Sequence, residues 1–255
     1  MPFRATFLRF LAHTTTVTAA LLVSLALAWY TLSAVNFFYP VLHDVIGIDA
    51  TIAEYAPGNI YRKSFDQTTR KQRAELFRQI VYGINHDGRG LESIRYTDAQ
   101  GRPIDRLLRE AEIIHLRDVA QLLNTLKAVA WVSGALLFAM VGFCRLRNTG
   151  FPAPARVLGT AVLALLLIAV IVSVSGAEKL FYRWHTLVFP EGHQWFFYYE
   201  ESLMTMLMKA PDLFAWLAAL LALFTLAYFY LVLRLASAFL RKDAVATDTP
   251  QERSP

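Results

Sequence analysis

FYRWHTLVFPEGHQWFFYY, residues 181–199, decides how the rest of this chain is read. Nine of its nineteen residues are Phe, Tyr or Trp, yet it also carries Arg183, His185, Glu191 and His193. A water-exposed loop has no use for so many rings. A membrane-crossing helix does not accommodate an arginine, two histidines and a Pro-Glu-Gly turn. The position that suits both kinds of residue is the membrane–water boundary, where amphipathic rings reside.

The sequence on either side agrees. The chain is 56% hydrophobic with a mean hydropathy of +0.38, and long apolar runs account for it, so a membrane protein is expected before a soluble domain. Spans are predicted at about 17–38, 128–144, 157–175 and 213–233. The first exceeds the 7–15-residue core of a signal peptide and lacks a small-x-small cleavage site, so it reads as an uncleaved span. Trp29, Tyr30, Phe37, Phe38 and Tyr39 crowd its far end as an interfacial belt. Residues 1–240 thus form a single four-span membrane domain, all-α in class, followed by a polar tail, 241–255, expected to be disordered.

The net charge of +5 does not point to nucleic acid, because the arginines sit where membrane topology places them. Arg4 and Arg9 precede the first span, Arg145, Arg147 and Arg156 frame the 145–156 link, and Arg241-Lys242 follow the last span. The positive-inside rule puts both termini and the link of this multi-pass protein in the cytoplasm. The loop at 176–212, with three basic and five acidic residues, then lies outside with residues 41–122. The latter carry twelve basic and twelve acidic residues and read as a small, mostly helical extracytoplasmic cap between spans 1 and 2. Helical spacing marks 67–82 and 104–123, turn chemistry marks 85–88 and 98–101, and a short strand or hairpin arm fits 91–96. Eighty residues cannot bury a large independent core. The Met-rich run Leu203-Met204-Thr205-Met206-Leu207-Met208 presents a hydrophobic face to lipid or protein.

Candidate chemistry falls on the outer segments. On a helix, Glu112, His115 and Asp118 share one face, which sets a histidine between two carboxylates able to orient it. A solvated face is the plain alternative. A zinc site built from Glu112, His115, Asp118 and His185 competes, but H-E-x-x-H is absent, and the single Cys144 excludes a Cys-rich metal site or an internal disulfide. No G-x-S-x-G elbow exists, and Ser202 and Thr186 show no sign of activation. His193, in Glu-Gly-His-Gln, reads as a turn residue.

Four spans, Glu112-Ile-Ile-His115-Leu-Arg-Asp118-Val before the second, and Trp184-His185-Thr-Leu-Val-Phe189 with Trp195-Phe196 after the third, resemble bacterial lipoprotein intramolecular transacylases. That resemblance implies an integral membrane acyltransferase moving an acyl chain from a diacylglyceryl ester to the amino group of the same N-terminal cysteine. His115 and His185 match the catalytic pair. The chain departs from the family in Glu200-Glu201-Ser202-Leu203-Met204 and Lys209-Ala210-Pro211, which bears on substrate identity more than on fold. For such a transfer His115 is taken as the general base, oriented by Glu112 or Asp118, and His185 as the group that stabilises the oxyanion or protonates the leaving oxygen, with the reverse assignment as the alternative. Trp184, Phe189, Trp195, Phe196 and Phe197 would wall the acyl chains. The expected partner is a membrane lipid or lipoprotein, with no nucleic acid, metal or other cofactor. A non-catalytic membrane scaffold or lipid-binding protein is the alternative.

Overall fold

The computed structural model describes residues 2–98, 100–147 and 151–241. Ala99 of the expected turn, residues 148–150 of the link and the tail beyond Arg241 lie outside them. Helices α1 (Pro2–Ala34), α2 (Tyr39–Val45), α3 (Ile48–Tyr55) and α4 (Arg70–Asn85) come first. A hairpin, β1 (Arg95–Thr97) and β2 (Pro103–Arg106), precedes α5 (Glu110–Leu146). Helices α6 (Pro154–Ser175), α7 (Ala177–Val188), α8 (Leu203–Met208) and α9 (Asp212–Arg241) complete the described chain. Thr6–Ala34, α5, α6 and Asp212–Leu240 are each long and apolar enough to cross a membrane. The protein is therefore an all-α, four-span membrane protein.

The described residues form two compact units. One comprises 2–28, 128–170 and 222–241. Its helices pack through small side chains, with Ala12, Ala19, Ala20 and Ala28 buried along α1, as expected where lipid rather than water is the competing solvent. Thr16 and Ser24 donate to the carbonyls of Ala12 and Ala20 (2.7 and 2.6 Å), so their hydroxyls are satisfied within the helix. Phe229 and Leu233 close a core against Ala20, with Val17, Leu137 and Val157 around it. No residue of α6 is buried.

The second unit comprises 29–127 and 171–221. Tyr39, Phe65, Leu76, Ile80, Leu91, Tyr96 and Leu107 are fully buried in it, together with Leu203, Met206 and Leu207 from the later segment. The cap thus escapes the size limit expected for eighty residues, because residues 171–221 supply part of its core. All six residues of α8 are buried, so the methionine run packs on protein. Ser202 starts that helix as its N-cap, accepting from the Thr205 N–H at 2.9 Å.

Three expectations change here. The first span ends at Ala34, short of 38, because Asn36, Phe37 and Phe38 all take left-handed backbone conformations that a continuing helix excludes. The aromatic belt also divides. Tyr30 and Phe38 are exposed, while Phe37 and Tyr39 are buried. Tyr39 stacks on Phe77 (4.3 Å) and its hydroxyl donates to the Leu207 carbonyl at 2.6 Å. The hairpin forms later than expected, pairing Arg95 with Arg106 and Tyr96 with Asp105, while 91–93 make a 3-10 turn.

Candidate active site

At ~1.5 Å per residue the 37 residues of α5 measure about 55 Å, well beyond the ~30 Å hydrocarbon layer. The helix is therefore longer than a single crossing needs, and its first part, 110–127, belongs to the second compact unit, ahead of the apolar run expected at 128–144. This first part carries Glu112, His115 and Asp118. The helix begins after Arg109, whose backbone N–H donates to the Glu112 carboxylate at 2.5 Å, with the acid three residues into the helix reaching back to its start.

The His115 ring lies 6.3 Å from the His185 ring, centroid to centroid, with the planes 34° apart. Residues seventy positions apart in sequence therefore share one site. Its walls are aromatic. Phe189 is buried and touches both imidazoles, 4.9 Å from His115 and 5.3 Å from His185. Phe197, also buried, lies 6.3 Å from His115. Trp184 (4.9 Å), Trp195 (4.7 Å) and Phe181 (3.9 Å) surround His185. Phe196 is more remote and partly exposed, packing on Tyr182 and Tyr198. Four of the five residues expected in a lipid wall thus pack beside the histidines, and Phe196 forms an outer layer.

His185 occupies the last turn of α7, and its Nδ1 lies 2.8 Å from the Phe181 carbonyl one turn earlier. A carbonyl only accepts, so Nδ1 holds the proton and Nε2 carries the free lone pair. His115 is held differently, since its Nδ1 is buried with no hydrogen-bond partner among the described residues. Burial pulls the His115 imidazole down to about 4; neighbouring His185 acts in the same direction and Asp118 opposes it. Burial also lowers His185, against the Phe181 hydrogen bond. Both rings are therefore neutral near pH 7.

The two carboxylates expected to orient His115 bond elsewhere. Glu112 is fully buried and takes its hydrogen bonds from the Arg109 N–H and the Ser202 hydroxyl. Burial raises its carboxyl, while those two donors and the Arg109 and Arg62 charges oppose the shift. Asp118 accepts from Nδ1 of His193 at 2.8 Å. Shared helical face correctly grouped the three residues but could not show which partners each would find. The solvated-face alternative also fails, since Glu112 is inaccessible and Asp118 is 8% exposed. Ser202 is fully buried and spends its proton on Glu112, so it ties α8 to α5. Thr186 donates to the Arg183 carbonyl at 3.0 Å. Among the described residues, no group of three or more His, Cys, Asp or Glu side chains is placed to hold a metal ion.

Two further features escaped the sequence reading. His193 does sit in a turn, with its N–H closing on the Pro190 carbonyl, but its ring also reaches Asp118. Arg109 lies with its guanidinium carbon 4.6 Å from the Tyr61 ring centroid and 5.6 Å from that of Phe197, next to the site. Nothing in its sequence neighbourhood distinguishes it from the eleven other basic residues of the cap.

The model of the family described as lipoprotein intramolecular transacylase Lit matches residues 66–210, a span that includes both histidines and every aromatic of the site. The structure of the membrane integral lipoprotein intramolecular transacylase Lit from Bacillus cereus superposes with a TM-score of 0.63 at 15% identity, covering 95% of this chain and 100% of that one. A histidine-to-arginine variant of the same protein gives a TM-score of 0.64 at 14% identity, covering 96% and 97%. At these identities the likeness is one of fold. No curated protein matches the chain.

Proposed function

Because this chain belongs to the lipoprotein intramolecular transacylase Lit family, we propose that it is a membrane acyltransferase moving an acyl chain from a diacylglyceryl ester to the N-terminal amine of the same lipoprotein cysteine. The observation that carries the proposal is the pair of neutral imidazoles 6.3 Å apart in an aromatic enclosure. The site lies at the outer face of the bacterial cytoplasmic membrane, with both termini inside, as the arginines in the short loops indicate.

The reaction joins the amine nitrogen to the ester carbonyl carbon and breaks the bond from that carbon to the glyceryl oxygen. One proton must travel from nitrogen to the departing alkoxide. His185 is the better base, because its Nδ1 proton is committed to the Phe181 carbonyl and the Nε2 lone pair is free to receive the amine proton. His115 donates an N–H hydrogen bond to the tetrahedral oxyanion, and the His185 imidazolium passes the proton it took from the amine to the leaving oxygen, which returns both rings to the neutral state. Burial keeps the His115 ring neutral, and an aromatic wall strengthens its hydrogen bond to developing charge. Nucleophile and ester are tethered in one substrate, so no serine or cysteine of the enzyme need attack. Glu112 and Asp118 act at one remove, by fixing the start of α5 and the 190–197 segment.

Mass spectrometry of a reporter lipoprotein tests the reading. Expression of this protein should convert the diacylglyceryl N-terminus to the form with one acyl chain on glycerol and one on nitrogen. An unchanged acylation pattern, with the protein abundant in the membrane, would leave only the non-catalytic scaffold.

A further inference from the structure

Arg109 is held on three sides. Its backbone N–H is committed to Glu112, and its guanidinium packs between Tyr61 and Phe197. Nη2 stands 3.7 Å from the Glu201 carboxylate, close enough for charge compensation and too far for a hydrogen bond. Nε and Nη2 are buried without any acceptor among the described residues. Arginine cannot shed its proton to relieve that state. Buried charged donors without an acceptor are costly, and a native fold keeps them where a ligand supplies the oxygen.

The surroundings define the ligand. Tyr61 is half exposed and Phe197 buried, so the guanidinium marks the border between the protein surface and the enclosure that holds His115. Both the guanidinium carbon and the His115 ring adjoin the same Phe197 ring. Glu201 already balances the charge, which disfavours a phosphate or carboxylate and suits a neutral carbonyl oxygen. With the substrate amine at the histidines, an extended chain advances ~3.5 Å per residue. The carbonyls of the next two residues then lie about 4–10 Å further on, along the way out past Arg109 and Tyr61. We infer that Arg109 is a substrate-positioning residue that binds main-chain carbonyl oxygens immediately after the modified cysteine, making the site selective for a peptide over a lone lipidated amino acid. The inference rests on the transacylase reading for the identity of the substrate.

A binding experiment that needs no turnover separates the two. The probes are N-acetylated diacylglyceryl-cysteinyl ligands, one ending in an amide at the cysteine and one extended by two residues, titrated into the purified protein in lipid nanodiscs. The natural sequence should bind the extended ligand about tenfold or more tighter than the short one. Arg109→Gln should erase that preference while leaving affinity for the short ligand within twofold, and Arg109→Lys should retain part of it. Equal affinities in the natural sequence, or an undiminished preference in Arg109→Gln, overturns the inference. Preference for the extended ligand in a protein that never acylates a free amine would overturn the transacylase reading and leave the peptide contact standing. With turnover, Arg109→Gln should raise KM on the extended substrate and change kcat little; an equal fall in kcat on both substrates would assign Arg109 to the chemistry or the fold instead.

Discussion

Helices α6 and α7 are neighbours in sequence, separated by Gly176 alone, and they obey opposite rules of burial. Helix α6 is almost wholly apolar beyond Arg156 and has no fully buried residue, with Leu163, Leu166 and Leu167 all more than half exposed. In α7 polar His185 is buried, while Leu187 is 86% exposed and Trp184 nearly half exposed. In water this pattern would be inverted. In a membrane it is consistent, because lipid receives apolar side chains without cost and only protein can satisfy an imidazole. Polar burial therefore marks where the protein has built an interior of its own.

Substituting the buried imidazole should have the largest effect. His185→Ala and His115→Ala should each lower kcat/KM on the lipoprotein by about 10²–10⁴-fold, the usual contribution of a positioned proton-transfer group. Membrane-inserted protein should remain at its normal level. Leu166→Ala, in α6, should leave the rate within twofold; a comparable loss there would break the contrast. Charging the lipid face is next. Leu166→Arg should add about 2.5–3.5 kcal/mol to insertion of that helix and reduce the amount of protein recovered from the membrane. Wild-type yields would indicate that α6 does not face lipid.

Glu112 extends the α7 rule to α5. Glu112→Ala strands the Arg109 N–H and the Ser202 hydroxyl, and should cost about 2–4 kcal/mol, read as a lower melting temperature. Glu112→Gln keeps an acceptor and should recover more than half of the loss. A catalytic role for this acid would show instead as lost activity at unchanged stability.

The pH profile sharpens the same point more gently. A histidine in the unfolded chain takes up a proton as pH falls through about 6.5, whereas folded His115 resists until about 4. Stability from this site is therefore complete above pH 6.5 and declines as pH falls toward 4. Followed directly by NMR, the His115 and His185 imidazoles should likewise titrate below 6.5. A ring titrating at or above 6.5 would mean that it is solvated. The smallest effect belongs to His193, whose ring is 42% exposed on its bond to Asp118. His193→Ala should cost under ~1 kcal/mol and a few-fold in rate.

Hydropathy runs were enough to recover the four spans, because a span rests on a local preference for lipid over water, and the resemblance paired His115 with His185, whose rings lie 6.3 Å apart. Partner choice was not legible. The helical spacing of Glu112, His115 and Asp118 predicted a face but not that the two carboxylates would bind Ser202 and His193. The interfacial belt was read from ring chemistry, and chain reversal at 36–38 sent Phe37 and Tyr39 into a core instead.

The sequence by itself determined which segments enter lipid, since transfer free energy is additive along the chain and needs no knowledge of neighbours. Only the tertiary structure decided which polar atoms are satisfied and which are not. It gave His185 a fixed tautomer, and it left His115 Nδ1 and two Arg109 nitrogens without a hydrogen-bond partner among the described residues. Hydrogen bonding is directional and acts over about 3 Å, so its outcome depends on segments that meet only after folding.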